Sequence, residues 1–529
     1  MRDLLIKSGM LIDGTGTPAW SADIAIANGI IVEIGSHIEG EFVKTIDAKS
    51  LFVTPGFIDP HTHSDLAFLR DRRHTHAVMQ GITTEVFGLC GMGLAPLPYG
   101  SPYELMRFTS GIFGSIPEGD CDWTSFADYF KRHDGCAINV MCAAGHNALR
   151  VSAAGYSDRK LNEQELKTSK SAMHKAMEDG AVGFSTGLSY YPCGWSDTKE
   201  LIELCSIVKA HDGVFLVHKR AGPEYPTYDD DAEVIEIVQH TGVRTHILHY
   251  KTGLSNVGKP ESLILPYQEA LDEGYDISFE LYPYHTGCGY GPVLLPPWAQ
   301  VGGFEKIIDV ITNEKSRPQL LRDVSRYYEF YRPQDGAPCV FTHLKNHAEY
   351  EGLSFENVAH KRKQTVVEMI VDMLVESELE FGWRGTAPST EVSKQLYHDI
   401  MWLINHPCYT VGSDAIPLGS HPHPRMFGAF AKMLRLVREF DYPLEKFVRK
   451  VTSFTAQRLG IADRGTLAVG KCADIAVFDF VNVKDEATWD NPCKLASGMK
   501  HVIVNGVAVV LDGKPTQATA GNALSPSRK

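Results

Sequence analysis

Eight short apolar segments, each ending in polar residues, constrain this chain more than any other feature. They are GFIDPHTH, TTEVFG, INVMCAAGH, AVGFSTG, GVFLVHKR, RTHILHYK, DISFELYPY and YTVGSDA, spread over residues 55–460. Helical patterns such as DTKELIELCSIVKAHD and DAEVIEIVQHTG lie between several of them, so the repeat is strand then helix. Eight such units predict an α/β chain built on a (β/α)8 TIM-like barrel, whose reactive groups collect at the C-terminal ends of the strands.

The two ends of the chain read differently. DLLIKSGMLIDGTG, ADIAIANGIIVEIG, CADIAVFDF and HVIVNGVAVVLDGKPT are β-branched runs broken at Gly, Asn-Gly or Asp-Gly, the signature of hairpins. They predict a small β-sandwich domain assembled from residues 1–56 and 461–529 around a barrel over 57–460. The stretch 286–380 fits the repeat worst, with GCGYGPVLLPPWAQVGG and a charged helical tract. It is read as an insertion near the seventh strand that covers the barrel mouth.

At 529 residues the chain is long enough for a large barrel with an appendage. A net charge of −14 argues against a nucleic-acid partner, because a phosphate backbone calls for a basic surface. No run of eighteen apolar residues appears, which argues against a membrane span. Asp3, Lys7 and Asp13 interrupt the N-terminal apolar residues, so no signal-peptide core is seen. Eleven cysteines are scattered without framework spacing and are read as reduced thiols of a cytoplasmic protein, one or two of them ligands. A homo-oligomer is left open.

Two His-Thr-His tripeptides compete as metal ligands. Side chains at i and i+2 of a strand share a face, whereas on a helix they lie about 200° apart. His61-Thr62-His63 ends an apolar strand-like run, so its imidazoles project together into the barrel mouth. His74-Thr75-His76 sits between RDRR and AVMQG, a charged-to-apolar helical pattern, and reads as a solvated helix start with diverging histidines. Further candidates close other strands: Cys90 in FGLCGMG, His218 in FLVHKR, His249 in HILHYK and Asp414 in VGSDA. Any one of them has a bland reading, a lone buried Cys being more often core than ligand. The combination of imidazoles, a thiol and a carboxylate at strand ends suits zinc.

With those segments in view, the chain resembles the N-acyl-D-amino-acid deacylase (D-aminoacylase) branch of the amidohydrolase superfamily. TPGFIDPHTHSD, GITTEVFGLCGMGLAP, GAVGFSTGLSYYP, DISFELYPY, VGSDAIPLGSHPHPR and VRKVTSFTAQRLGIADRGTLAVGKCADIAVFDF carry the resemblance over nearly the whole chain. It implies a tight zinc site of Cys90, His218 and His249. It also implies a weaker second metal position at His61 and His63, with Cys90 able to bridge where many two-metal relatives use a carboxylated lysine. Asp414 matches the family's catalytic aspartate. The implied reaction is hydrolysis of a linear amide, most readily an N-acyl-D-amino acid or related N-acyl compound. Water acidified by the metal, from about pKa 15.7 to roughly 7, is the nucleophile, and Asp414 is general base and then general acid.

A substrate carboxylate calls for cations near the metals. Arg220 lies two residues past His218 and Lys251 two past His249, each on its neighbour's face if the strand continues. The resemblance assigns Lys251 to that carboxylate and Tyr282 to the substrate; Arg425 in PHPR matches a family motif without a role. Departures from the pattern touch the pocket walls: Cys288 stands where relatives commonly carry Ser, VHKR replaces THxR, and LHYK replaces SHHK. A second enzyme reading is an amidohydrolase of cyclic amides or ureas, like dihydroorotase or hydantoinase, and a third is a non-catalytic barrel scaffold. The bridging lysine of the former is not evident, and the latter typically loses ligands that are all present here.

Three motifs are set aside. GTLAVGKC, residues 465–472, nearly fits a phosphate loop, but Cys472 replaces the hydroxyl residue and ADIAVFDF after it reads as a strand. GFSTG matches GxSxG around Ser185 without a helix signal behind it. His421 and His423 fall in a Pro-rich loop and are read as loop residues.

Overall fold

The structure, a computed structural model, describes residues 2–333 and 336–528. Each of the eight apolar segments contains strand: Phe57–Asp59, Ile82–Phe87, Asn139–Cys142 with Ala144–Gly145, Gly183–Gly187, Val214–His218, Arg244–Ile247, Ile277–Leu281 and Tyr409–Val411. The pairings among them are all parallel. The first three strands form one sheet, and Ala144–Gly145 through Tyr409–Val411 form another, in chain order. A parallel bridge from Thr62 to Ala415 links the ends of the first and last segments. These strands are buried almost throughout, as parallel strands covered on both faces should be.

The covering helices follow from local sequence. Helix Glu163–Glu178 begins in a capping box, in which Asn162 accepts from the amides of Gln164 and Glu165 while Glu165 reaches back to the Asn162 amide. Helix Thr198–Ala210 buries Leu201, Leu204, Cys205 and Val208, the i, i+3, i+4, i+7 stripe that turns one face inward.

Both chain ends enter one hydrogen-bonded sheet of nine strands among the described residues. Ile475–Phe478 pairs antiparallel with Phe52–Pro55 and thereby joins the C-terminal hairpins to the N-terminal ones. Ile6, Leu11, Ile24, Val53, Ile475 and Ile503 share a core of their own. GTLAVGKC leads into the strand Ile475–Phe478, as its context required. The stretch 286–380 contributes an antiparallel ladder, Cys288–Tyr290 and Val340–Leu344 flanking Phe381–Arg384, with helices Phe304–Thr312, Arg317–Tyr331, Phe355–Arg362 and Val366–Glu376. No described helix is long and apolar enough to cross a membrane.

One expectation is corrected here. His74 and His76 are not solvated: they are 2% and 9% exposed, and their ring centroids lie 5.6 Å apart. The helix they begin, Thr75–Val78, is a single turn folded under the chain with His74 in a left-handed conformation (φ +44°), so long-helix periodicity does not govern where the rings go.

A buried polar junction fastens the terminal sheet to the parallel strands. Asp474 pairs with Arg464 and accepts from Asn139 Nδ2 at 2.9 Å and from the Asn505 amide at 2.7 Å; Asn505 Nδ2 in turn donates to Asn139 Oδ1 at 2.8 Å. Asp474→Ala would leave the buried Arg464 guanidinium with Asp463 as its remaining carboxylate partner. We expect a cost of about 3–5 kcal/mol, read as a clear fall in Tm, whereas Asp47→Ala at an exposed strand end should shift Tm little.

Candidate metal centre

The period-two rule holds through the first tripeptide. The Thr62 hydroxyl turns outward to the Val86 carbonyl (3.2 Å) and Glu85 (3.5 Å), while His61 and His63 face the interior. Their Nε2 atoms lie 3.4 and 3.3 Å from Asp414 Oδ1. Cys90 Sγ stands 3.4 Å from His61 Nε2 and 3.8 Å from His249 Nε2, and His249 Nε2 is 2.8 Å from His218 Nδ1. Two donor triads result, His61–His63–Cys90 and Cys90–His218–His249, each with its ligand atoms within 4.8 Å of one another. Cys90 belongs to both.

Three of these residues hold unusual backbones. Cys90, His249 and Asp414 have φ of +52°, +40° and +51°, the left-handed region that non-glycine residues seldom adopt. Such strain persists only where neighbours over-determine it, and it gathers at functional sites. Two glycines make the packing feasible. A Cβ on Gly187 would sit 2.0 Å from the Cys90 carbonyl oxygen, which explains the final Gly of GFSTG: its strand passes directly under the thiol loop. A Cβ on Gly412 would lie 2.4 Å from Glu280 Oε2. Ser185 accepts from the Gly91 amide at 3.2 Å and helps shape that loop.

Electrostatics prepares the donors. Burial holds His63 below its ordinary range, His218 at about 3 and His249 well below, so these imidazoles are neutral and present free nitrogens. Burial raises the Asp414 carboxyl, but Arg425, His61 and His63 outweigh it and hold the group well below the usual carboxylate range. Arg425 Nη1 lies 2.8 Å from Asp414 Oδ2, and both side chains are buried.

Sequence reasoning missed Glu280 and left Arg425 without a role. Glu280 Oε1 accepts from His61 Nδ1 at 2.7 Å and from the His249 amide at 2.5 Å. It thus fixes the His61 tautomer, leaving Nε2 to face Cys90, as carboxylate–histidine pairs do around metals. The available signal was a carboxylate inside the otherwise apolar DISFEL. Asp59 acts similarly on the backbone, accepting from the His61 and Ser413 amides at 3.1 and 2.9 Å.

The centre opens into a cavity of about 360 Å³. Tyr282 lies between two cations: Lys251 Nζ and the Arg425 guanidinium each sit 4.6 Å from its ring centroid. Lys251 also donates to the His285 carbonyl at 3.1 Å, and burial, then Arg425, lowers its pKa to about 8. Cys288 lines the cavity, its thiol pushed up to about 11 by burial. Met92, Ile112, Leu254, Trp383 and Ile416 form apolar walls, and Phe330, Tyr331, Arg332 and Pro333 from the insertion close one side.

Arg220 is not part of this cavity, contrary to the expectation from sequence. Its Nε and Nη2 each lie 3.0 Å from Glu233, and it donates to the carbonyls of Gly194 and Ser196. The strand ends at His218, so face alternation does not extend to residue 220. His423 is a buried loop residue whose Nδ1 accepts from the Arg425 amide at 3.0 Å.

The donors fit a metal: buried imidazoles, a shared thiol, and a charge-compensated carboxylate converge where His63 Nδ1 has no partner among the described residues. We expect cobalt-loaded protein to show thiolate charge-transfer absorption that Cys90→Ala abolishes and His63→Ala retains, because Cys90 alone supplies sulfur and the Cys90–His218–His249 triad survives the second change.

The model of the amidohydrolase family matches residues 44–312 and 373–510. The chain is 30% identical to a D-aminoacylase of Alcaligenes xylosoxydans xylosoxydans, covering 99% of this chain and 97% of that protein. It is 31% identical to an N-acyl-D-glutamate deacylase of the same organism, covering 97% and 95%. Among solved structures, N-acyl-D-glutamate deacylase from Bordetella bronchiseptica, complexed with zinc and a phosphonate mimic of the tetrahedral intermediate, superposes with a TM-score of 0.81 at 28% identity over 99% of each chain.

Proposed function

The chain belongs to the amidohydrolase family, and on that premise we propose that it is a zinc-dependent hydrolase of N-acyl-D-amino acids. The observation that carries the reading is the junction at Cys90, where two donor triads meet beside Asp414 with the Lys251–Tyr282–Arg425 group alongside. Cys90, His218 and His249 would hold the tighter metal, and His61 and His63 a second one sharing Cys90. Nitrogen and sulfur donors favour zinc. When bound, zinc supplies Lewis acidity, acidifying water to a pKa near about 7 and polarising the amide carbonyl.

The protein's own groups do the rest. Asp414, kept ionised by Arg425 and the histidines, accepts the proton of the attacking water and delivers it to the departing amine nitrogen. Lys251 and Arg425 bring two positive charges to the face of Tyr282, where a substrate carboxylate can be received. Arg425 Nε, buried and without a partner among the described residues, is a donor ready for it. Exclusion of water by the insertion strengthens these contacts.

The two curated relatives are named for different substrates, a D-aminoacylase and an N-acyl-D-glutamate deacylase. The apolar walls Met92, Ile112, Leu254, Trp383 and Ile416 support an apolar amino-acid side chain over an acidic one, the lining cation Arg332 lying on the insertion side. The chain-order parallel strands of the two sheets and the Thr62–Ala415 bridge support a (β/α)8 barrel over 57–460, with 1–56 and 461–529 as the companion β-domain.

A hydrolysis panel tests the reading. We expect kcat/KM for N-acetyl-D-leucine or N-acetyl-D-methionine to exceed that for N-acetyl-D-glutamate and for the L enantiomers; turnover of cyclic amides alone would overturn it. Asp414→Asn should lower kcat by roughly 10²–10⁴-fold, whereas Arg425→Met should act more on KM through the lost carboxylate contact.

A further inference from the structure

The second tripeptide, dismissed on helical spacing, lies in a buried cluster outside the catalytic centre. His74, His76 and Glu85 place one ligand atom each within 4.8 Å of one another. Exposure is 2%, 9% and 1%. Both ring nitrogens of His74 and Nε2 of His76 have no hydrogen-bond partner among the described residues. Buried polar atoms are normally satisfied, and orphans in one pocket call for a missing partner. His74 Nδ1 is 3.9 Å from Glu85 Oε2, beyond hydrogen-bond reach but a short closure away from sharing one ion.

We propose that His74, His76 and Glu85 bind a structural divalent metal ion, with zinc the best match to their donors. Two neutral imidazoles and one carboxylate match the three-ligand zinc set of two His and one Glu, which leaves the fourth position to a water. Without a cation Glu85 faces Asp59 and Asp65 with only the Ser64 and Thr62 hydroxyls against them, and burial first, then Asp59, holds its pKa well above the ordinary range. A cation removes that conflict. The pocket walls are unsuited to supplying hydrogen bonds instead: the His74 ring stacks 6.3 Å from Phe87 and the His76 ring lies 6.0 Å from Phe427. The left-handed backbone at His74 aims its ring into the cluster.

The position gives the ion a purpose. Glu85 lies on the strand Ile82–Phe87 that leads to Cys90, and its Oε2 meets the Thr62 hydroxyl. Thr62 sits between His61 and His63, so the segment carries catalytic donors on one face and touches this cluster with the other. A metal here ties the short helix Thr75–Val78 to both ligand-bearing segments and stiffens them from behind.

Metal content with a spectroscopic check tests this. Zinc would be measured by plasma mass spectrometry in purified full-length protein, in His74→Asn/His76→Gln, and in Cys90→Ala/His61→Ala/His249→Ala. The first variant should lose one equivalent of zinc relative to wild type while its cobalt form keeps the thiolate charge-transfer band of the catalytic centre. The second should retain one equivalent, with cobalt d–d bands and no thiolate band, and its Tm should fall on chelation. Equal zinc in wild type and His74→Asn/His76→Gln, or a metal-free catalytic-ligand variant that is folded by circular dichroism, would overturn the proposal. If the triple variant does not fold, the comparison of wild type with His74→Asn/His76→Gln decides alone.

Discussion

Asp414 is a buried carboxylate held between the Arg425 guanidinium and the imidazoles of His61 and His63, and much of the centre is arranged around keeping that charge out of water. A buried charge is tolerated only when paired and hydrogen-bonded. Arg425 therefore has to be buried too, and the face of Tyr282 is what receives it. That ring receives Lys251 as well. The cationic group that suits a substrate carboxylate is thus the same group that stabilises the acid–base residue.

The thiol side of the centre depends on close backbone approach rather than on charge. Cys90 sits on a tight loop whose carbonyl packs against Gly187 at the end of the strand Gly183–Gly187. The positive φ values at Cys90, His249 and Asp414 place three donors on strained turns immediately after strand ends, where side chains can point back over the strands. Buried strands hold those turns, since their alternate residues enter two cores, Phe57, Phe184 and Phe215 one and Ile58, Val86, Met141 and Leu216 the other. The terminal sheet has a core of its own, but Phe478, Met499, Val502 and Val510 also join the large core of the parallel strands, and the polar junction around Asp474 and Asn139 adds to that attachment.

How much was legible in the chain follows from how far each signal reaches. His61 and His63 could be paired because strand alternation is a two-residue rule, and Cys90, His218, His249 and Asp414 because each closes an apolar run. Arg220 shows where the rule stops: the strand ends at His218, and Glu233 on the following helix captures the guanidinium. His74 and His76 show the same limit on the helical side, since a one-turn helix has no outer face to expose.

By itself the sequence determined the strand–helix repeat, the hairpins at both ends and the donor types at the strand ends, because periodicity and turn chemistry are properties of a few consecutive residues. Only the tertiary structure decided that Glu280 orients His61 from 219 residues away, that Arg425 compensates Asp414, and that the second His-Thr-His meets Glu85 in a buried pocket. Those pairings are set by which strands lie side by side and how tightly their turns pack. Burial then fixes which groups stay charged.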